Sequence, residues 1–225
     1  MTHVASGGGV EAQLVAAGVV PVVRLGEREL ALRVAQALAG GGMQTVEVTF
    51  TVPQAEAIIA ALRRDYPHLL VGAGTVRDRA EAARALRAGA HYLVSPGLVA
   101  EVLDEARRAG VLAIPGVLTP SEALQAVAAG CRLLKLFPAS AVGPAYLKAL
   151  RAVLPDGVAF CPTGGVELEH LPAWAEAGAS LVGVGGPLLG DVERTGDLAG
   201  LARRAQAFLE AWRAACRRAQ GPARP

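Results

Sequence analysis

The sequence LRAGAHYLVS, residues 86–95, decides the fold, because two near-copies of it occur as ARRAGVLAIP (106–115) and AEAGASLVGV (175–184). Each copy reads as the end of an amphipathic helix, a glycine at the helix C-cap, and a short apolar run typical of a buried strand. Helices that alternate with buried strands in this way predict a parallel sheet covered by helices.

The same alternation continues through the chain and supplies eight candidate strands. The strands are 19–23, 45–49, 69–73, 92–95, 112–115, 133–137, 158–162 and 180–184. Helical patterns occupy 29–39, 53–64, 79–88, 100–109, 121–129, 145–153, 168–177 and 201–217. Eight strands that each precede a helix predict a closed (β/α)₈ TIM barrel, with a short extra helix at 10–17 before the first strand. A doubly wound open sheet is the competing fold, and 219–225 reads as a frayed tail.

Composition limits the class of protein. The chain of 225 residues is 52% apolar, which suits one domain over 1–225 with a core of about 10–217. A formal net charge of +2 gives no basic field for nucleic acid. Charges, proline or glycine interrupt every apolar run before the roughly 20 residues of a membrane span. Three cysteines without a close pair, and no signal segment, lead us to expect a cytoplasmic protein.

Lys135 interrupts the apolar strand RLLKLFP, and it is one of only two lysines in the chain. Period-two alternation directs Leu134 and Leu136 towards the helices and Lys135 into the barrel. A buried lysine loses hydration, which populates the free amine, and a free amine attacks carbonyl carbons to form a Schiff base. The alternative is a rim lysine with its tip in water, or a structural ion pair. The second lysine, Lys148, reads as exposed helix surface.

Glu47 interrupts TVEVTF in the same way, with Val46 and Val48 directed outward. A buried carboxylate is costly unless it has a partner or a chemical task. Lysine and glutamate that point into one barrel predict a nucleophile with a general acid–base. A purely structural ion pair between the two residues is the alternative interpretation.

Two glycine pairs follow the last two predicted strands, Gly164–Gly165 in CPTGGV and Gly185–Gly186 in VGVGGPLL. Paired glycines let backbone N–H groups approach an anion, and the loops after strands seven and eight hold phosphate in many barrels. These pairs therefore predict a site for a phosphate or carboxylate group.

Four further polar or turn residues stand at predicted strand ends. They are Arg24, Thr75, Pro96 beside Ser95, and Thr163. Each is weak evidence when taken alone, because threonine near a strand end is commonly a cap or turn residue. None of the four histidines has zinc-ligand spacing with another histidine or a cysteine, so we expect no metal and no other cofactor.

The motifs VEVTF, VGAGTV, LVSPGL, IPGVLTPSE, LLKLFPAS and FCPTGGV occur in this order. Together they resemble the family of 2-keto-3-deoxy-6-phosphogluconate (KDPG) aldolases, some of which also cleave 2-keto-4-hydroxyglutarate (KHG). The resemblance covers residues 19–188. It implies a metal-free class I aldolase, a lyase that acts on a small 2-keto acid, and a homotrimer of barrels.

The resemblance also implies roles for individual residues. Lys135 matches the Schiff-base lysine, and Glu47 matches the general acid–base. Thr75 matches a threonine that contacts pyruvate, and Thr163 one that reads the sugar hydroxyls, where galactonate-specific relatives tend to carry valine. The remaining matches are apolar walls at Pro96 and Phe137 and a phosphate cradle at Gly164, Gly165, Gly185 and Gly186.

Two positions depart from the better-known branch of that family. Thr51 stands where an arginine holds the pyruvate carboxylate, and this makes Arg24 our candidate for the carboxylate anchor. Pro187 follows Gly185–Gly186 where that branch has serine, so a hydroxyl and an N–H are lost from the phosphate end. Both changes resemble the dual-specificity branch.

Two other functions are compatible with the same residues. A phosphosugar isomerase or epimerase would use Glu47 as base and Lys135 only as an electrostatic partner. A non-catalytic barrel would bind a phosphorylated metabolite without turnover, although two buried charges are a poor device for binding alone. Neither alternative predicts a covalent adduct with pyruvate.

Overall fold

The computed structural model describes residues 9–219, so the predicted tail lies outside them except for Ala219. Within this range the strands are short and buried. They are β1 Val19–Val23, β2 Thr45–Thr49, β3 Leu70–Gly74, β4 Tyr92–Val94, β5 Leu112–Ile114, β6 Gly116–Val117, β7 Leu133–Leu136, β8 Ala159–Pro162 and β9 Val182–Val184.

Helices connect most of these strands. They are α1 Val10–Ala17, α2 Arg28–Gly40, α3 Ala55–Asp65, α4 Arg79–Arg87, α5 Ala100–Ala109, α6 Pro120–Ala128, α7 Gly143–Arg151, α8 Leu171–Glu176, α9 Gly186–Leu189, α10 Val192–Thr195 and α11 Leu198–Ala219. Local signals set several of their ends: Thr119 and Glu122 form a capping box at α6, and Gly110 ends α5 in a left-handed conformation. The extra helix at 10–17 is confirmed, whereas the short helices α9 and α10 have no counterpart in the predicted pattern.

All strand pairings of the described residues are parallel, and the fold is mixed α/β with a curled sheet. One sheet has the order β5-β4-β3-β2-β1-β9 and the other has the order β6-β7-β8. The predicted strand at 112–115 is corrected, because it ends at Ile114 and the chain resumes as β6 at Gly116. Pro115, which lies between the two pieces, has no N–H to contribute to a strand ladder.

Two apolar clusters lie on opposite faces of the strands. The outer cluster packs strand residues such as Val46, Val48, Leu134 and Leu136 against the helices. The inner cluster contains Leu14, Val20, Leu70, Tyr92, Val94, Ile114, Leu133, Cys161 and Leu181. Because α1 directly precedes β1, its Leu14 packs at the strand starts and fills the inner cluster from that end.

We expect Leu14→Ala to lower the free energy of unfolding by about 2–5 kcal/mol, because Leu14 is fully buried and its removal leaves a cavity. Val15→Ala on the same helix is the control, since Val15 is exposed. Denaturant unfolding of both variants tests the assignment. Equal losses in the two variants would show that α1 does not seal the inner cluster.

Candidate active site

Lys135 and Glu47 occupy the inner face of two different strands, as the alternation predicts. Lys135 on β7 pairs in register with Gly116 and Cys161, and it is 4% exposed. Glu47 on β2 is 3% exposed. The flanking valines and leucines belong to the outer cluster, so the predicted orientation of both strands is confirmed. Both charged groups therefore lie in a space from which most water is removed.

An aromatic ring forms one wall around the lysine. Lys135 Nζ lies 4.8 Å from the centroid of the Phe137 ring. Gly164 backs the same ring, because a Cβ at that glycine would lie 3.1 Å from Phe137 Cε2. A cationic or neutral amine is therefore held against an apolar face, next to the loop that follows β8.

One carboxylate oxygen of Glu47 has no hydrogen-bond partner. Its Oε1 is fully buried and makes no hydrogen bond. Burial raises the pKa of the Glu47 carboxyl, and the positive charges of Lys135 and Arg24 act in the opposite direction. Among residues 9–219, no ion pair of 4.0 Å or less joins Glu47 to either cation. This separation does not fit the structural ion pair that the sequence left open.

Arg24 and Thr75 meet across the ends of β1 and β3. Arg24 Nη2 donates a hydrogen bond of 2.9 Å to Thr75 Oγ1. Thr75 has φ +54°, a left-handed conformation that costs a β-branched residue about 1–3 kcal/mol. Since Thr75 accepts from Arg24, its own hydroxyl proton is available to a ligand. The fold thus keeps a strained threonine where the sequence predicts substrate contact.

Thr51, at the position where the resemblance implies an arginine, has no free proton. Thr49 Oγ1 donates to the carbonyl of Val23 at 3.1 Å. The 2.7 Å bond between Thr49 Oγ1 and Thr51 Oγ1 must then be donated by Thr51. Thr51 can only accept further hydrogen bonds and is unsuited to hold a carboxylate. The sequence places Thr49 on the inner face but does not predict this bond.

The two glycine pairs follow β8 and β9, which are adjacent at their ends through a bridge between Thr163 and Gly183. Gly164 and Gly165 have φ +90° and +72°, values that favour glycine. Gly185 precedes the four-residue helix α9, and Gly186 is exposed. The structure therefore brings the two predicted glycine loops to the same side of the site.

Thr163 and Pro96 lie at the ends of β8 and β4. Thr163 is buried, and its Oγ1 donates to the carbonyl of Cys161 at 3.2 Å. The carbonyl carbon and oxygen of Pro96 pack tightly against Gly116. These contacts place both residues at β8 and β6, the two strands that flank the lysine strand β7.

The buried residues directly beneath Lys135 and Glu47 are not predicted from the sequence. Tyr92 is fully buried, and its hydroxyl donates to Thr45 Oγ1 at 2.8 Å, since Thr45 donates to the carbonyl of Leu70. Burial, followed by the charge of Glu47, raises the pKa of Tyr92 well above its ordinary value. Burial also raises the pKa of Cys161 to about 12, so its thiol is a neutral part of the wall. Thr45 is two residues before Glu47, so the same period-two alternation indicates that its side chain also points inward.

Residues 9–219 contain neither a cluster of metal ligands nor a membrane-spanning helix. Histidine, cysteine, aspartate and glutamate side chains do not gather there in any group of three or more that could hold a metal ion. No helix in this part of the chain is both long and apolar enough to span a membrane.

A buried lysine and a buried carboxylate on parallel strands can supply the nucleophile and the acid–base group that a lyase working through an imine needs. The family model for KDPG and KHG aldolases matches residues 10–203. The chain is 39% identical over 183 residues to 2-dehydro-3-deoxy-6-phosphogalactonate aldolase of Escherichia coli K12, covering 80% of this chain and 86% of that one. It is 42% identical over 156 residues to 2-dehydro-3-deoxy-phosphogluconate aldolase of Pseudomonas aeruginosa, covering 69% and 70%.

A solved structure of KDPG aldolase from Legionella pneumophila, with pyruvate captured as a covalent carbinolamine, superposes with a TM-score of 0.79. It is 32% identical, and the match covers 88% of this chain and 96% of that one. The chain belongs to the KDPG and KHG aldolase family, and it is a class I aldolase.

We expect Glu47→Gln to stabilise the fold increasingly as the pH rises. The folded pKa of Glu47 is raised, so its contribution to stability is present below about 4.5 and is lost as the pH rises through the folded pKa. Glutamine removes this loss, by about 1.4 kcal/mol for each unit of the raised pKa. Denaturant unfolding at pH 4 and pH 8 measures the free energy of unfolding of Glu47→Gln and of wild type.

Glu210→Gln, on the exposed surface of α11, is the matched control for the loss of one carboxylate. A difference between Glu47→Gln and wild type that stays constant from pH 4 to pH 8 would contradict the raised pKa.

Proposed function

We propose that Lys135 forms the Schiff base and Glu47 is the general acid–base in the cleavage of KDPG to pyruvate and glyceraldehyde 3-phosphate. The observation that carries this proposal is the burial of both groups, on two different strands, without an ion pair between them. The carbinolamine captured in the Legionella relative supports a covalent route in this family.

The reaction begins when the Lys135 amine adds to the C2 ketone of the substrate. The resulting carbinolamine loses water, with a proton from Glu47, and becomes an iminium. Glu47 then removes the C4 hydroxyl proton, directly or through one water. The electron pair of the C3–C4 bond moves into the iminium, which becomes an enamine as the aldehyde leaves. Protonation at C3 and hydrolysis of the iminium release pyruvate and restore the free lysine.

Arg24 is our candidate for the carboxylate anchor of the keto acid. Thr51 has committed its proton to Thr49, whereas Arg24 reaches across the strand ends to Thr75 and attracts the Glu47 charge. Thr75 would then donate its free proton to the same end of the substrate. Pro96 and Phe137 would form the apolar walls around the imine.

The phosphate end is assigned to Gly164, Gly165, Gly185 and Gly186. Pro187 offers neither a hydroxyl nor an N–H there, and this favours KHG, which carries no phosphate, as a second substrate. Its products would be pyruvate and glyoxylate. The E. coli relative is named for the phosphogalactonate, so the C4 epimer is the comparison to include. Rates of cleavage of KDPG, KHG and the phosphogalactonate epimer will show which substrate the enzyme prefers.

We infer that the two sheets close into one (β/α)₈ barrel. The bridge from Thr163 to Gly183 and a 3.0 Å bond from Ser180 N to the Phe160 carbonyl support closure between β8 and β9. A 2.9 Å bond from Lys135 N to the Pro115 carbonyl supports continuity where β5 passes into β6. A single domain over 1–225 is supported by the family match and by an outer cluster that extends from Val19 to Ala215.

Family membership supports a homotrimer in the cytoplasm that binds a small 2-keto acid and not nucleic acid. The near-neutral net charge of +2 and three free cysteines are consistent with this setting. Light scattering coupled to size exclusion tests the trimer, and a monomer at micromolar concentration would overturn it.

We expect Lys135→Ala to abolish pyruvate release from KDPG, because Lys135 is the only buried lysine of residues 9–219. Lys148→Ala is the matched control, since Lys148 is exposed and is the only other lysine of the chain. Glu47→Gln should lower the rate by about 10²–10⁴-fold. Near-normal rates for Lys135→Ala, or for Glu47→Gln, would remove the corresponding role.

We expect Arg24→Ala to raise KM for KDPG by about 10–100-fold, the equivalent of a lost charge-assisted hydrogen bond of roughly 1.5–3 kcal/mol. Arg28→Ala is the control, because Arg28 follows the same strand but pairs with the exposed Glu29. Steady-state kinetics of both variants measures the effect. An unchanged KM in Arg24→Ala would assign the carboxylate to another donor.

A further inference from the structure

The inner face of β3 carries two glycines, and each receives a large side chain from a neighbouring strand. A Cβ at Gly72 would lie 2.6 Å from Tyr92 Cδ2 and would also overlap other atoms of that ring. A Cβ at Gly74 would lie 2.6 Å from both Cγ and Cδ of Glu47 and would overlap its Oε1. The motif VGAGT therefore forms two notches, one beneath the site and one that holds the carboxylate.

Gly74 is needed for space and not for backbone freedom. It is paired with Thr49 in the ladder between β2 and β3, and it is absent from the described glycines with positive φ. Alanine can adopt such a conformation without strain. This separates Gly74 from Gly164 and Gly165, whose positive φ values make any substitution a change of backbone as well.

The notch makes the two carboxylate oxygens unequal. Oε1, the atom nearest to Gly74, is the oxygen that is fully buried and has no hydrogen-bond partner. Oε2 is not among the fully buried unpartnered atoms of residues 9–219, so the two oxygens differ in their surroundings. A carboxylate whose inner oxygen has no room to move presents its outer oxygen in one direction.

We propose that Gly74 is a positioning residue: its missing side chain seats Glu47 Oε1 and leaves Oε2 as the oxygen that exchanges protons with the substrate. This inference rests on the proposed role of Glu47. It predicts that a single added methyl group, on a different strand, acts on the reaction through the glutamate.

The notch also affects the charge state of the glutamate. The titratable groups that act on Glu47 electrostatically are Lys135, Arg24, Tyr92 and Cys161, on β7, after β1, on β4 and on β8. The backbone of Gly74 lies against this carboxylate, and burial raises the Glu47 pKa. A Cβ at Gly74 would push the carboxylate towards the wetter side of the site and so lower that pKa.

The test is a cycle of Gly74→Ala, Glu47→Asp and the double variant, with kcat/KM for KDPG measured across pH. Gly74→Ala should lose about 10²-fold, the cost of a misplacement near 1 Å, and its acid limb should move to lower pH. Aspartate is shorter by one methylene and leaves the notch empty. The double variant should therefore equal Glu47→Asp within about threefold, and it should melt at the same temperature.

Gly183→Ala is the matched control, because its Cβ would meet Thr163, at 3.0 Å from Cγ2, instead of Glu47. Its loss should add to that of Glu47→Asp, and its acid limb should stay in place. Thermal melting of the same variants keeps the test decisive if Gly74→Ala folds poorly, since Glu47→Asp should then restore the fold.

Three results would overturn the proposal: wild-type kinetics in Gly74→Ala, an unmoved acid limb, or additive losses in the double variant. If Glu47 is not the general acid–base, Glu47→Gln will be active. That outcome is distinct from a failure of the Gly74 proposal. An inactive Glu47→Gln beside a fully active Gly74→Ala would reject the notch alone.

Discussion

Removal of water from two opposite charges, Lys135 and Glu47, is the constraint on which the rest of the structure depends. Both side chains are almost completely enclosed, yet they do not form a close ion pair. Enclosure without neutralisation is unfavourable for folding, and it raises the pKa of the Glu47 carboxyl. The surrounding strands must therefore hold the two groups apart and in fixed directions.

The neighbouring residues supply that restraint by shape more than by polar contact. The Phe137 ring lies against Lys135 Nζ, and the space left by the missing side chain of Gly74 holds Glu47 Oε1. Tyr92 and Thr45 form a hydrogen-bonded floor below them, and Leu14 fills the inner cluster at the far end.

Much of this arrangement can be predicted from the sequence, because it depends on local periodicity. Alternation by two places Lys135 and Glu47 on the inner face, and repeated helix–glycine–strand units give the order of elements. The prediction of one strand over 112–115 is wrong at its end, since β5 ends at Ile114 and Pro115 separates it from β6.

Other features depend on which residues become neighbours between strands. The contact of Glu47 with Gly74 requires the register of β2 on β3, and the bond between Arg24 and Thr75 joins residues 51 positions apart. Positive φ at Thr75 and the donor direction between Thr49 and Thr51 likewise arise from tertiary packing. Periodicity carries no information about any of these.

The most direct test of the central claim is borohydride reduction in the presence of pyruvate, followed by peptide mass spectrometry. The account predicts a reduced pyruvate adduct on Lys135 and none on Lys148. A folded sample that binds pyruvate but shows no adduct, or one that carries it on Lys148, would contradict the covalent role of Lys135.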